Sequence, residues 1–161
     1  MTPNSKPCRK CGAETTLTTL PSFHGEEGPV AVTVDGMPAR VCTNGHKRFL
    51  FPEFVARLMD LVSDAEAVAP QPPAHKRGLF RKHFHCSACD AELPATPEGH
   101  TERELDASIQ GAEPFKAAVR VDLHRCAKCS REQVLSNEQV AISAFKALTH
   151  GFRAADVHVD A

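Results

Sequence analysis

Seven cysteines and one histidine of this 161-residue chain fall into two sets of four: Cys8, Cys11, Cys42 and His46, then Cys86, Cys89, Cys126 and Cys129. No cysteine lies outside the sets. Thiolate and imidazole are the donors that tetrahedral zinc takes, so the expected chemistry is two zinc ions per chain. A Cys-x-x-Cys pair on a tight turn aims two sulfurs at one ion. A second pair, brought up across a loop, closes the tetrahedron without a large apolar core. Here Cys8-Arg-Lys-Cys11 is answered by Cys42-Thr-Asn-Gly-His46, and Cys86-Ser-Ala-Cys89 by Cys126-Ala-Lys-Cys129. An odd cysteine count argues against a disulfide framework, as does the absence of an apolar signal region in Met1-Thr-Pro-Asn-Ser-Lys-Pro.

Four matched ligands per ion leave no position for water or substrate, whereas a catalytic zinc keeps one open beside an acid or base. The expectation is therefore a structural metal in a protein that is not an enzyme. His24-Gly-Glu-Glu27 sets a base near carboxylates, but between Gly and Pro residues it reads as a solvated loop. Neither a Gly-rich phosphate loop nor a nucleophile elbow is present in the sequence.

The elements that must position the ligands repeat. Each half runs knuckle, long loop with strands, second knuckle, short connector and amphipathic helix, which predicts an α+β fold of two small zinc-ribbon domains. Ala69-Pro-Gln-Pro-Pro-Ala74 reads as an extended spacer. The expected division is residues 1–68, a proline-rich then basic linker over 69–83, and 84–161. Val30, Val32 and Val34 alternate with small or polar residues, and Asp35-Gly36 signals a hairpin that returns through Met37 to Cys42. Phe115, Ala117, Val119, Val121 and Leu123 alternate likewise, with Leu105, Ala107 and Ile109 as either a facing strand or a helix. Pro52 opens a helix with Val55, Leu58, Met59 and Val62 on one face. Ser136 with Gln139 opens another, with Ala141, Ala144, Phe145 and Leu148 as its stripe and Gly151 as its stop. These faces read as intradomain core, the alternatives being a partner-binding groove or a homodimer seam. So small a core per half leaves much of the folding stability to metal, about 10 kcal/mol or more for structural zinc.

Val32-Thr-Val-Asp-Gly-Met-Pro-Ala-Arg-Val-Cys42, with Asn44-Gly45-His46 and the helix Pro52 to Val62, resembles the YgiT/MqsA-type zinc finger over roughly residues 6–65. The resemblance implies a structural zinc held by Cys8, Cys11 and Cys42, in a domain that often engages a toxin within an antitoxin. His46 falls one residue beyond the family's cysteine, whose position Gly45 takes, so its role as ligand rests on imidazole chemistry. The second half carries four cysteines where such antitoxins have a helix-turn-helix, so DNA-binding repression is not implied.

A formal charge of -1 gives no general case for nucleic acid, and no apolar run is long enough to span a membrane. A cytoplasmic protein is expected. One segment departs from that balance: residues 75–85 bring together Lys76, Arg77, Arg81 and Lys82 with three histidines, Phe80 and Phe84. It reads either as a solvated linker whose phenylalanines pack on the second half, or as a surface for RNA, DNA or an acidic protein. His83 and His85 adjoin Cys86, but four cysteines already fill that site. A redox or zinc-responsive role would need exposed thiolates, with Cys8, near the terminus and in the mixed site, as its weak point. The expected function is a non-enzymatic tandem zinc-ribbon module that binds a protein partner or regulates one.

Overall fold

The computed structural model describes residues 6–78 and 83–158. The first half contains strands β1 (Thr15–Thr19), β2 (Phe23–Glu27), β3 (Val30–Asp35), β4 (Pro38–Cys42) and β5 (Lys47–Arg48), then helices α1 (Pro52–Val62) and α2 (Ala65–Val68). After these come β6 (His75–Arg77), β7 (His83–His85), β8 (His100–Ala107), β9 (Phe115–Asp122), β10 (His124–Arg125), β11 (Glu132–Gln133), α3 (Asn137–Ala154) and β12 (Val157–His158). The architecture is α+β, with one four-ligand cluster of ribbon type in each half.

The alternating valines of β3 demand an apolar surface on one face, and they find it across the chain's midpoint. β3 pairs antiparallel with β9, placing Val30 opposite Val121, Val32 opposite Val119 and Val34 opposite Ala117, all nearly or wholly buried. Burial of each such valine is worth about 1.5–3 kcal/mol. With β2 outside β3 and β8 outside β9, the central sheet reads β2-β3-β9-β8, one hairpin from each half meeting through their second strands. The two ribbon-like units expected from the sequence therefore share a sheet and one apolar core.

Two further pairings differ from expectation. Asp35-Gly36 turns the chain, with Gly36 at φ 74°, but it does not close a hairpin of β3 on β4. β4 instead joins a second sheet of order β1-β4-β5-β12, in which the late strand β12 runs parallel to β5. The physical reason is satisfaction of both edges of β3, already occupied by β2 and β9. The segment expected as a linker also takes regular form: β6 and β7 pair antiparallel, and Pro73 bridges Val134.

Helix α3 lies on β2 and β3. Ser136 caps it, its Oγ accepting the Gln139 amide at 3.2 Å. The buried face is Val140, Ser143, Ala144, Ala147, Leu148, Gly151 and Phe152, with Phe145 exposed, so the stripe is rotated from the one expected. Gly151 does not stop the helix but lets it approach the sheet. A Cβ on Gly25, facing it from β2, would sit 1.9 Å from the Ala147 carbonyl oxygen and 2.5 Å from the Gly151 nitrogen. This contact also shows that His24-Gly-Glu-Glu27 is an edge strand, not a loop. Phenylalanine rings knit the halves: Phe23 contacts Phe152, Phe152 meets Phe49 edge-on at 4.7 Å, and Phe54 of α1 stacks on Phe115 of β9 at 5.7 Å.

Candidate metal centres

Three of the four knuckles share one backbone device. The amide of the first cysteine donates to the carbonyl five residues on, at 2.8 Å for Cys8 to Ala13, 2.7 Å for Cys86 to Ala91 and 2.9 Å for Cys126 to Arg131. The residue after the second cysteine takes positive φ and donates back to the first: Gly12 at 72°, Asp90 at 64° and Ser130 at 67°. This curl points both sulfurs inward.

The fourth knuckle is one residue tighter. Cys42 donates to the carbonyl of His46 at 3.1 Å, and Gly45 carries the positive φ, 84°. The turn thus puts glycine where the other knuckles put their second cysteine, and the longer imidazole of the next residue reaches the site instead. His46 Nδ1 lies 3.5 Å from the sulfurs of both Cys8 and Cys42, and Cys11 Sγ is 3.7 Å from Cys42 Sγ. In the second centre Cys86 Sγ is 3.5 Å from Cys129 Sγ, and Cys89 Sγ is 3.5 Å from Cys126 Sγ.

Within each set all four donor atoms lie within 4.8 Å of one another. A tetrahedron built on zinc–sulfur bonds of about 2.3 Å has edges of about 3.8 Å, so the spacing fits one zinc ion per set. The surrounding donors fit thiolate ligands as well. Asn44 Nδ2 donates to Cys11 Sγ at 3.3 Å, and the His46 amide to Cys42 Sγ at 3.3 Å. Gln133, fully buried, donates from Nε2 to Cys86 Sγ at 3.2 Å while its Oε1 accepts the Ser87 amide at 2.7 Å. Asn44, followed by the backbone amide of Ala13, holds the Cys11 thiol down to about 6. Burial pushes the Cys86 thiol up, but the amides of Cys89 and Ala88, with help from Cys129 and Gln133, bring it to about 6. Such outer partners orient ligands and tune the ion they hold.

All eight expected ligands are thus brought together, four and four. Cys8, the expected weak point, is buried, and the thiols open to solvent are Cys11 and Cys129. His83 and His85 are not ligands: His83 Nδ1 is 3.1 Å from Glu92 Oε1, and His85 Nδ1 is 2.9 Å from the Asp90 carbonyl oxygen. Of the basic cluster, Lys76 and Arg77 are exposed on β6, with Arg77 paired to Asp90 at 2.8 Å, whereas Arg81, Lys82 and Phe80 lie outside the described residues. Phe84 packs against the second centre with Leu93, Ala74 and Leu135. Asn44 and Gln133 gave no signal in the sequence beyond their nearness to ligands. Among the described residues no helix is long and apolar enough to cross a membrane. No protein-family model matches the chain, and no curated protein and no solved structure shows detectable similarity to it.

Proposed function

We propose that this chain is a non-enzymatic scaffold of two fused zinc ribbons that binds a protein partner, with zinc in a structural role. The observation that carries the reading is that four donors converge in each centre, enough to fill a tetrahedral zinc, while Asn44, Gln133 and the amides of His46 and Ala88 donate to the sulfurs of Cys11, Cys42 and Cys86. A site so filled holds a fold rather than a substrate. Function then belongs to the outer surface, where Leu17 on β1 and Ile142 and Phe145 on α3 are exposed large apolar side chains. The sequence resemblance of residues 6–65 to the YgiT/MqsA-type zinc finger implies a protein-engaging role, in line with this reading. Affinity capture from native lysate with and without nuclease tests the proposal. A nuclease-resistant partner, lost in the folded Ile142→Asp, Phe145→Asp variant, is the expected result; loss of all bound material on nuclease treatment would sink it.

Lys76 and Arg77 favour nucleic acid as the second reading, since both project from the β6–β7 hairpin into solvent. It predicts salt-sensitive RNA or DNA binding that falls when Lys76, Arg77, Arg81 and Lys82 are changed together to Ala. Arg77 is already engaged with Asp90, which lowers the free charge of that surface.

A further inference from the structure

The zinc chemistry leaves one basic group beside the first centre unexplained. Arg48 of β5 is 7% exposed, and its Nε and Nη2 atoms are buried without a hydrogen-bond partner. Among the described residues no carboxylate pairs with it. Its cross-strand neighbour is Arg40, so two like charges face each other on β4 and β5. The donors to the nearby sulfurs are Asn44 and the His46 amide, so the cluster does not take up the guanidinium by hydrogen bonding. A buried, unpaired cation is costly, and the lowest-cost remedy is an anion.

The surroundings are built for one. Arg48 lines a pocket of about 80 Å³ together with Lys6, Arg9, Phe51, Pro52 and Val55, and no acidic residue contributes to its wall. The wall includes the N-terminus of α1, an eleven-residue helix whose capping residue Phe51 offers no side-chain hydrogen bond. Its dipole adds positive charge to the same space, offset in part by Glu53 in the first turn. The volume equals roughly two to three waters at about 30 Å³ each, which suits a small tetrahedral oxyanion. Three cations and a helix end, with Arg40 behind them, exceed what the single charge of a carboxylate would neutralise, and a guanidinium fork matches phosphate oxygens.

We propose that the pocket formed by Lys6, Arg9, Arg48 and the N-terminus of α1 binds a phosphate group, either as inorganic phosphate or as a phosphomonoester. The site adjoins the first metal centre, whose Cys8 thiolate partly offsets the Arg48 charge, but it uses none of the metal ligands and is separate from the basic hairpin. Isothermal titration of the zinc-loaded chain with inorganic phosphate, in chloride buffer of matched ionic strength, should show one saturable site tighter than about 1 mM. Phenyl phosphate in a parallel titration separates the sources: tighter binding assigns a monoester whose organic part lies on Phe51 and Val55, and equal or weaker binding assigns free phosphate. Arg48→Met should weaken binding at least tenfold. Because that change is buried, the surface pair Lys6→Ala, Arg9→Ala serves as the second variant and should also weaken binding about tenfold, while Lys76→Ala, Arg77→Ala should leave it unchanged. No saturable binding by about 10 mM, or binding that survives in Lys6→Ala, Arg9→Ala, would overturn the assignment.

Discussion

Asn44 shows how much a single side chain contributes to the first centre. Its amide is the leading cause of the lowered Cys11 thiol, and a thiol held at about 6 contributes stability that is complete well above its ordinary value and is lost as pH falls through about 6. Asn44→Ala should therefore move zinc release from the first centre to higher pH, followed with a chromogenic chelator; an unchanged release midpoint would remove Asn44 from the account. His46→Ala should lose that zinc at neutral pH while the second centre keeps its own, giving one ion per chain by native mass spectrometry. Gly25 makes a different demand. With 1.9 Å between its would-be Cβ and a helix carbonyl, Gly25→Ala should cost at least about 3 kcal/mol in urea unfolding. Gly99, at φ 91° with open space around it, should lose only about 1–2 kcal/mol on the same change. The eight ligands were legible in the sequence because few other residue types do their work. Asn44, Gln133 and Arg48 were not, because hydrogen-bonding side chains occur everywhere and only geometry selects among them.

At the scale of elements, local pattern identified what each segment is but not what it touches. Alternation at Val30, Val32 and Val34 gives a strand with one buried face, and alternation from Phe115 to Leu123 gives another, as found. Nothing in either pattern states that the two pair, since register across 90 residues leaves no local trace. Asp35-Gly36 is a turn signal of the right kind, but a turn specifies only a change of direction and leaves the partner open. The helix stripe of α3 was misplaced by the same limit: Gly25 and Gly151 set its rotation through a contact remote in sequence. β12 offers a test of element-level coupling. Val157 is buried where β12 joins β5, immediately after the ligand His46. Val157→Asp should destabilise the fold by about 2–4 kcal/mol and speed zinc loss from the first centre over the second. Equal loss rates from both centres would show that β12 does not brace the first.

For the whole molecule, the two ribbon-like halves share one sheet and one apolar core, while Cys86, Leu93 and Cys126 form a smaller satellite. Val119→Ala, in β9, should therefore cost about 2 kcal/mol and lower the thermal transition of backbone amides in both halves together. A transition confined to residues beyond 84 would show separable halves. Expressed alone, residues 1–68 should aggregate, because the β9 edge of β3 would be left unpaired with three valines uncovered. The same topology sets a clock on synthesis. Val157 pairs with Lys47, so about 110 residues must follow before the first centre's sheet can be completed, which at ribosomal speed is on the order of ten seconds. Through that interval the nascent first half can already capture its metal through Cys8, Cys11, Cys42 and His46. Zinc would then act as a placeholder, keeping an unfinished sheet in order until its last strand emerges.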